Sequence, residues 1–483
     1  ELKLKYKIVL NTLGSLLFFL GLSMLFPLLY AIYYKEPVIN TFILSMSITS
    51  LSGLLLWKSF PSKDPIGIKE GFTVVTLGWI LAAGFGSLPF LLAGTFSNFI
   101  DAYFETMSGF TTTGASVLTI IEGIPLSILF WRDFIQWLGG MGIIVLVVAI
   151  LPALGAGGMQ LFKSEAPGPE KDRLKPRIKE TAKLLWQVYI IISALQVGCL
   201  YFTGMPLFDA LTNMFGTMAT GGFNPRNLSV GAYNNPVFEI IITFFMFVAG
   251  ANFTLHYQVL HGNIKSLFKD REFLFYGGVV LTAILAITTE LRVYIYNSIF
   301  TALRYASFQV VSILTTTGFV TTDYDTWPAF SKCILLILMF IGGCSGSTGG
   351  AIKNIRILLL FKKANRDFHK LIHPRSVTPI RVGNKIVSED TMNYITSFFF
   401  LYILIFVIST FIMSILGLDI LSAMSSVAAT LGNVGPGLGL VGPSQNYGFI
   451  PPLGKITLTI CMLLGRLELY TVLVLLVPGF WRK

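Results

Sequence analysis

The chain has 483 residues, of which 54% are hydrophobic and only 12% are charged, and its formal net charge is +11. This hydrophobic excess excludes an ordinary soluble domain and predicts a membrane protein. The positive charge does not indicate nucleic-acid binding, because the basic residues are spread over several loops and do not form one compact basic domain.

Ten apolar runs are long enough to cross a bilayer, for which a helix needs about 20 residues. They lie at 8–33, 38–57, 71–93, 127–152, 182–203, 236–260, 273–290, 331–352, 391–416 and 452–480. The first run is too long for a signal peptide and has no convincing cleavage site, so we expect it to be retained as a membrane span.

Shorter apolar stretches alternate with the later spans, at 98–113, 206–220, 298–316 and 419–431. They are too short to cross the membrane, which predicts half-helices that enter and return. Non-helical backbone at that depth is tolerated only where protein or a water-filled cavity satisfies its polar groups.

The basic residues orient the spans. Most of the 35 Lys and Arg fall in the two tails and in loops such as 163–183 and 353–385. These segments share one side of the membrane if the ten runs cross and the short stretches return. Because positive residues mark the cytoplasmic side, both termini are predicted to be cytoplasmic.

Each short stretch leads into a strip of three residues whose last residue is glycine. Strips 1 to 4 are Thr112-Thr113-Gly114, Thr220-Gly221-Gly222, Thr316-Thr317-Gly318 and Asn433-Val434-Gly435. Glycine permits close backbone approach and unusual φ and ψ angles, so carbonyls can face an ion in place of water. The strips contain no carboxylate, which argues against a divalent cation. Plain loops or tight helix contacts are the alternative, but recurrence in four units favours an ion filter.

Strip 4 has two possible registers. Gly432 gives the better spacing from the preceding helix, whereas Asn433-Val434-Gly435 better matches a polar, apolar and glycine order. We take Gly435 as its last residue. This strip lacks the threonines of the others, which leaves its contribution to ion coordination open.

The strips belong to an internally repeated sequence. Residues 104–114 read FETMSGFTTTG and residues 308–318 read FQVVSILTTTG, so Phe, Ser, three Thr and Gly coincide. We therefore predict an all-α membrane protein with four repeats of span, half-helix, strip and span. An N-terminal helix hairpin is assigned to 1–69, and the repeats are assigned to 70–179, 180–272, 273–390 and 391–483.

Three further motifs accompany the repeat: WLGGMGIIVL at 137–146, GGCSGSTGG at 342–350 and LGRLE at 464–468. Together these motifs resemble the Trk/Ktr/HKT superfamily of potassium uptake proteins over essentially the whole chain. With its N-terminal hairpin, the chain is similar to bacterial Trk-type membrane subunits. The resemblance implies a four-fold pseudosymmetric K⁺ pore in the bacterial inner membrane, with strips 1 to 4 as its selectivity filter.

The resemblance also implies partners. It predicts a homodimer and a soluble cytoplasmic regulatory subunit that binds a nucleotide, NAD or ATP. This chain has no P-loop and no convincing Rossmann motif, so a nucleotide would belong to the partner. We expect this chain to bind no cofactor and to carry K⁺ as the transported ion.

A glycine-rich segment interrupts the second span of the third unit. It reads Gly342-Gly343-Cys344-Ser345-Gly346-Ser347-Thr348-Gly349-Gly350. Glycine at this density is unfavourable in a straight helix. With the resemblance, we interpret the segment as a gating loop beneath the filter. Close helix packing is the alternative, because Gly342, Gly346 and Gly350 are four residues apart.

Arg466 is an isolated cation within the last span. Ionisable residues inside a membrane are costly and tend to face a cavity or a partner. We interpret Arg466 as a cation barrier in the pore beneath the filter, where its charge limits how long an ion dwells. A structural pair with Glu468 or a carbonyl is the alternative, although residues two apart on a helix do not face each other.

The main alternative function is a sodium- or proton-coupled secondary transporter of another small solute. Such transporters often have inverted repeats and unwound spans at mid-membrane, whereas these repeats share one orientation. An enzyme would need paired carboxylates or a nucleophile with its base near one membrane face, and none is convincing here. The sequence leaves open channel-like against proton-coupled transport and the preference for K⁺ over Na⁺.

Overall fold

Helices account for nearly all of the regular structure, as the sequence predicts. The computed structural model describes residues 4–62, 66–149, 174–383 and 385–481. Within those residues the only regular strands are a two-residue antiparallel pair, β1 (Arg381–Val382) and β2 (Lys385–Ile386). The predicted all-α membrane fold is confirmed.

An N-terminal hairpin precedes the repeated part of the chain. Helix α1 (Tyr6–Ser23) continues through a short break into α2 (Leu25–Tyr33), and α3 (Ile39–Ser59) packs antiparallel to α1. A Cβ atom added at Gly14 or Gly53 would lie under 3.0 Å from backbone atoms of the opposite helix. The two helices therefore touch through their backbones, as small residues allow in membrane proteins.

Four units follow, and each contains a long first span, a short helix, a strip and a second span. Unit 1 comprises α4 (Ile68–Gly86), α5 (Leu88–Leu92), α6 (Phe99–Phe110) and α7 (Leu126–Ala149). Unit 2 comprises α8 (Leu174–Phe202), α9 (Leu207–Ala219), α10 (Pro236–Ala249), α11 (Phe253–Leu260) and α12 (Lys265–Lys269). Unit 3 comprises α13 (Arg271–Tyr294), α14 (Ile299–Leu314), α15 (Ala329–Leu338) and α16 (Asn354–Ile372). Unit 4 comprises α17 (Glu389–Ile415), α18 (Ile420–Leu431), α19 (Pro452–Arg466), α20 (Leu469–Leu473) and α21 (Pro478–Trp481).

The prediction of one continuous span is wrong for two of the apolar runs, because the helix breaks within each of them. In unit 2 the helix ends at Ala249 and restarts at Phe253 with a bend of 105°. In unit 4 it ends at Arg466 and restarts at Leu469 with a bend of 114°. The side chain of Asn252 accepts a backbone N–H bond and caps the restarted helix of unit 2.

The other predicted spans agree with the structure to different extents. Among the described residues, six helical segments are long and apolar enough to cross a membrane, and each bent pair adds a further candidate. The second span of unit 3 stops at Leu338, and the chain then runs irregularly to Lys353. The run 127–152 is helical up to Ala149, and the rest of it, with most of the basic segment 163–183, lies outside the described residues.

The four short helices α6, α9, α14 and α18 lie inside the molecule. Every residue in the last two turns of each is buried. The long spans carry exposed apolar side chains, among them Leu55, Phe244, Phe400 and Ile415. This inverted distribution, with polar strips inside and apolar side chains outside, is the one expected of a lipid-embedded pore protein.

Candidate ion site

All four strips leave their short helices along the same backbone path. The first residue of each strip adopts a left-handed conformation, with φ of 51° at Thr112, 56° at Thr220, 61° at Thr316 and 55° at Asn433. The last residue is a glycine with φ of 80° at Gly114, 78° at Gly222, 78° at Gly318 and 98° at Gly435. A left-handed glycine costs little, whereas other residues are strained there. Strip 4 therefore matches the others with Gly435, and not Gly432, as its last residue.

Each strip bonds back to the helix that precedes it. The middle residue of every strip donates its backbone N–H to a carbonyl five residues earlier. These bonds are Thr113 N to Ser108 O at 2.8 Å, Gly221 N to Gly216 O at 2.8 Å, Thr317 N to Ser312 O at 2.8 Å and Val434 N to Ala429 O at 2.7 Å. Such a bond closes the helix end and fixes where the strip begins.

The first carbonyl group of each strip is left for another partner. Within the described residues, no hydrogen bond reaches the carbonyl oxygens of Thr112, Thr220, Thr316 or Asn433. These oxygens follow the C-terminal ends of four helices, where the helix dipole favours a cation. A buried carbonyl without a donor is costly, and a bound cation would satisfy it.

The strips contact one another in a closed ring. A Cβ atom added at Gly114 would lie under 3.0 Å from Gly221 O, and one at Gly222 would meet Thr317 O in the same way. The same close approach joins Gly318 to Val434 O and Gly435 to Thr113 O. Strips 1, 2, 3 and 4 thus follow each other around one axis and return to strip 1.

Side-chain hydroxyls brace two of the strips. Thr111 Oγ1 donates to Met107 O at 2.7 Å and lies 2.8 Å from Thr113 Oγ1. In strip 3, Thr315 Oγ1 lies 2.8 Å from Thr317 Oγ1. In strip 4 the Asn433 amide donates to Thr113 Oγ1 at 3.0 Å and so links the first and last units.

The predicted gating loop, residues 342–350, packs directly against the strips. Gly350 N donates to Thr316 Oγ1 at 2.7 Å, and Thr348 Oγ1 donates to Met218 O at 3.0 Å in the last turn of α9. The loop lies between the helices α15 and α16 and is not helical. Its glycines therefore do not form a helix-packing stripe.

Contacts from three directions hold this loop. Glu272 Oε1 accepts from Ser345 N at 2.7 Å and from Ile355 N at 3.1 Å, so one carboxylate bonds to the loop and to the helix after it. Cys344 N donates to Gly250 O at 2.8 Å, at the break between α10 and α11. The ammonium of Lys353 donates to a carbonyl of the loop.

Arg466 forms hydrogen bonds with this loop and does not pair with Glu468. Its Nη1 donates to Thr348 O at 2.5 Å and its Nη2 donates to Gly139 O at 3.2 Å, and the side chain is 3% exposed. Glu468 instead accepts from Arg356 Nη2 at 2.6 Å. Of the alternatives that the sequence left open for Arg466, the structure contains the carbonyl contacts and not the pair with Glu468.

Sequence reasoning missed Glu272. This residue begins the third unit and lies far along the chain from the loop that it holds. A carboxylate in the first turn of a span, next to a basic linker, gives only the signal of an ordinary helix start. Glu272 contacts the loop only because the start of unit 3 packs against residues that lie much later in the same unit.

Comparisons with known proteins extend over the whole chain. The family model TrkH, described as cation transport protein, matches residues 37–482. The Trk system potassium uptake protein TrkH of Salmonella typhimurium is 43% identical over 99% of this chain and 100% of its own length. TrkG of Escherichia coli, also a Trk system potassium uptake protein, is 36% identical over 99% of both chains. The crystal structure of the potassium transporter TrkH from Vibrio parahaemolyticus matches with a TM-score of 0.92 at 38% identity, covering 99% of this chain and 100% of that one.

Proposed function

Because this chain belongs to the TrkH family of cation transport proteins, a family of transporters and not of enzymes, we propose that it takes up K⁺ across the bacterial inner membrane. The observation that carries this proposal is the closed ring of four glycine-ended strips. A ring of backbone oxygens at the ends of four helices suits a monovalent cation that must lose its water and still leave.

In this proposal K⁺ binds between the strips through carbonyl oxygens from all four units. The free carbonyls of Thr112, Thr220, Thr316 and Asn433 replace part of the hydration shell. The C-terminal ends of the four short helices add a favourable field without placing a full negative charge in the path. Binding is therefore strong enough for entry and weak enough for release.

The glycine-rich loop acts as the gate on the path below the filter. It bonds to Thr316 and to the end of α9, so it lies against the filter from one side. Arg466 holds the loop through Thr348 O and places a guanidinium beside it. Opening requires that these bonds break and that the loop moves aside. The cation then meets less positive charge from the Arg466 guanidinium on its path.

The orientation and the partners of the protein are part of the same proposal. Both termini and the basic linkers face the cytoplasm, in agreement with the charge distribution. A soluble subunit that binds NAD or ATP docks on this face and controls the loop, and two copies of the chain form a dimer. The chain itself binds no cofactor, and K⁺ is its cargo.

Uptake of radioactive rubidium into proteoliposomes loaded with K⁺ tests the proposal. We expect purified protein to accumulate rubidium in exchange for internal K⁺ and to exclude an organic solute. Uptake of sodium in preference to rubidium would overturn the choice of ion. Uptake of the organic solute under an inward proton or sodium gradient, without uptake of rubidium, would instead support the coupled secondary transporter.

A further inference from the structure

Strip 2 lacks the hydroxyl brace of strips 1 and 3. The positions that correspond to Thr111 and Thr113 are Ala219 and Gly221, which have no hydroxyl group. Two glycines in succession also make strip 2 the one with the greatest backbone freedom. Its conformation therefore needs support from outside the strip.

Gln136 supplies that support from the second span of unit 1. Its Nε2 donates to Gly221 O at 2.7 Å, and its Oε1 accepts from Phe223 N at 3.0 Å. The side chain is completely buried. A Cβ atom added at Gly221 would lie 2.5 Å from Gln136 Cδ, so the missing side chain of Gly221 makes room for the amide.

The same helical turn of α7 continues the support beyond the strip. The Arg132 guanidinium lies 3.6 Å from the centre of the Phe223 ring, and its Nη1 donates to Asn224 O at 3.3 Å. Arg132 is fixed in turn by Glu105 at 2.7 Å. One turn of the unit 1 span thus holds the unit 2 backbone from Gly221 to Asn224.

We propose that Gln136 is a positioning residue for strip 2 and that it sets the discrimination between K⁺ and Na⁺. This inference rests on the proposed function, because it takes the ring of strips as the ion filter. Gly221 O packs against Gly114, so Gln136 fixes the spacing between strips 1 and 2 as well as the direction of one carbonyl. Without the amide, the two glycines adapt to the shorter oxygen distances of a smaller ion.

The test compares rubidium and sodium uptake by proteoliposomes that contain Gln136→Met or Gln136→Glu. Methionine keeps the length and loses both hydrogen bonds, whereas glutamate keeps an acceptor for Phe223 N and loses the donor to Gly221 O. We expect both variants to lower the ratio of rubidium to sodium uptake between about twofold and about tenfold, the range of one hydrogen bond. Gly221→Ala, whose methyl group displaces the amide, should lower the ratio in the same way.

Gln196→Met is the matched control. Gln196 is also fully buried, on the first span of unit 2, and within the described residues its amide has no hydrogen bond. We expect this variant to keep the wild-type ratio. Gln136 variants that are folded but keep the wild-type ratio, or that slow both ions equally, would overturn the inference and leave the proposed function standing. A wild-type protein that carries neither ion would overturn both.

Discussion

Arg466 in the last span donates a hydrogen bond from Nη1 to the carbonyl oxygen of Thr348, 2.5 Å away in the glycine-rich loop. The guanidinium is buried and reaches Gly139 O of unit 1 through Nη2. Unit 4 therefore ties the loop of unit 3 to the second span of unit 1. A single side chain joins three of the four units beside the strips.

Replacing Arg466 by Ala is expected to raise K⁺ flux. The change removes a charge-assisted hydrogen bond to the loop, and about 1.5 kcal/mol of lost restraint corresponds to an open fraction about tenfold larger. Arg466→Lys should give a smaller increase, because an ammonium keeps the charge but cannot bond to two carbonyls in the fork geometry of Arg. Rubidium flux in proteoliposomes measures both effects.

Arg304→Ala is the control for this experiment. Arg304 lies near the start of α14, at the opposite end of that helix from strip 3, and forms a 2.5 Å ion pair with Glu239. We expect its flux to stay near that of the wild type. Unchanged flux in Arg466→Ala would show that the arginine does not restrain the loop.

Glu272→Ala should also raise the flux, by a route that leaves Arg466 intact. This carboxylate accepts from the backbone N–H groups of Ser345 and Ile355, and its removal frees both. Glu290→Ala is a matched control, because Glu290 accepts from Ser331 N at 2.9 Å in the same unit but outside the loop. If the two variants have equal flux, the bonds of Glu272 do not keep the loop in place.

The strips could be located from the sequence because their backbone needs glycine. In each strip a left-handed residue is followed, two positions later, by a left-handed glycine. This conformation restricts the residue types at the two positions, and the resulting pattern recurs in every unit. For strip 4 the order of residue types favoured Gly435 over Gly432, and the φ of 98° at Gly435 places this glycine at the position of Gly114. Local conformation that only a few residue types tolerate is readable without tertiary information.

The breaks at residues 250–252 and 467–468 could not be predicted from the sequence in the same way. Apolar residues continue on both sides of each break, so hydropathy predicts one span. The capping role of Asn252 and the positive φ of 56° at Glu468 become evident only with the helix directions. Gln136 was missed for a related reason, because one glutamine in an apolar span does not reveal which backbone it meets.

Replacing Gly114 by Ala should abolish selective K⁺ transport. The added Cβ would meet Gly221 O, and the φ of 80° strains any L-residue by about 1–2 kcal/mol. Gly94→Ala is a matched control, because Gly94 has a φ of 70° and no atom lies within 4 Å of its added Cβ. We expect Gly94→Ala to lose similar stability and to keep its rubidium uptake. Equal uptake by the two variants would mean that the contact between strips 1 and 2 has no role in transport.

Replacing Gly53 by Leu should destabilise the N-terminal hairpin without changing ion selectivity. A side chain at this position meets the backbone of α1 at Phe18, and overpacking of this kind costs about 1–3 kcal/mol. Gly278→Leu is the control, because no atom lies within 4 Å of a Cβ added there. Thermal unfolding in detergent should show a lower Tm for Gly53→Leu alone, while the rubidium to sodium ratio of the surviving protein stays at the wild-type value. A changed ratio would contradict the separation between the hairpin and the four units that form the ring.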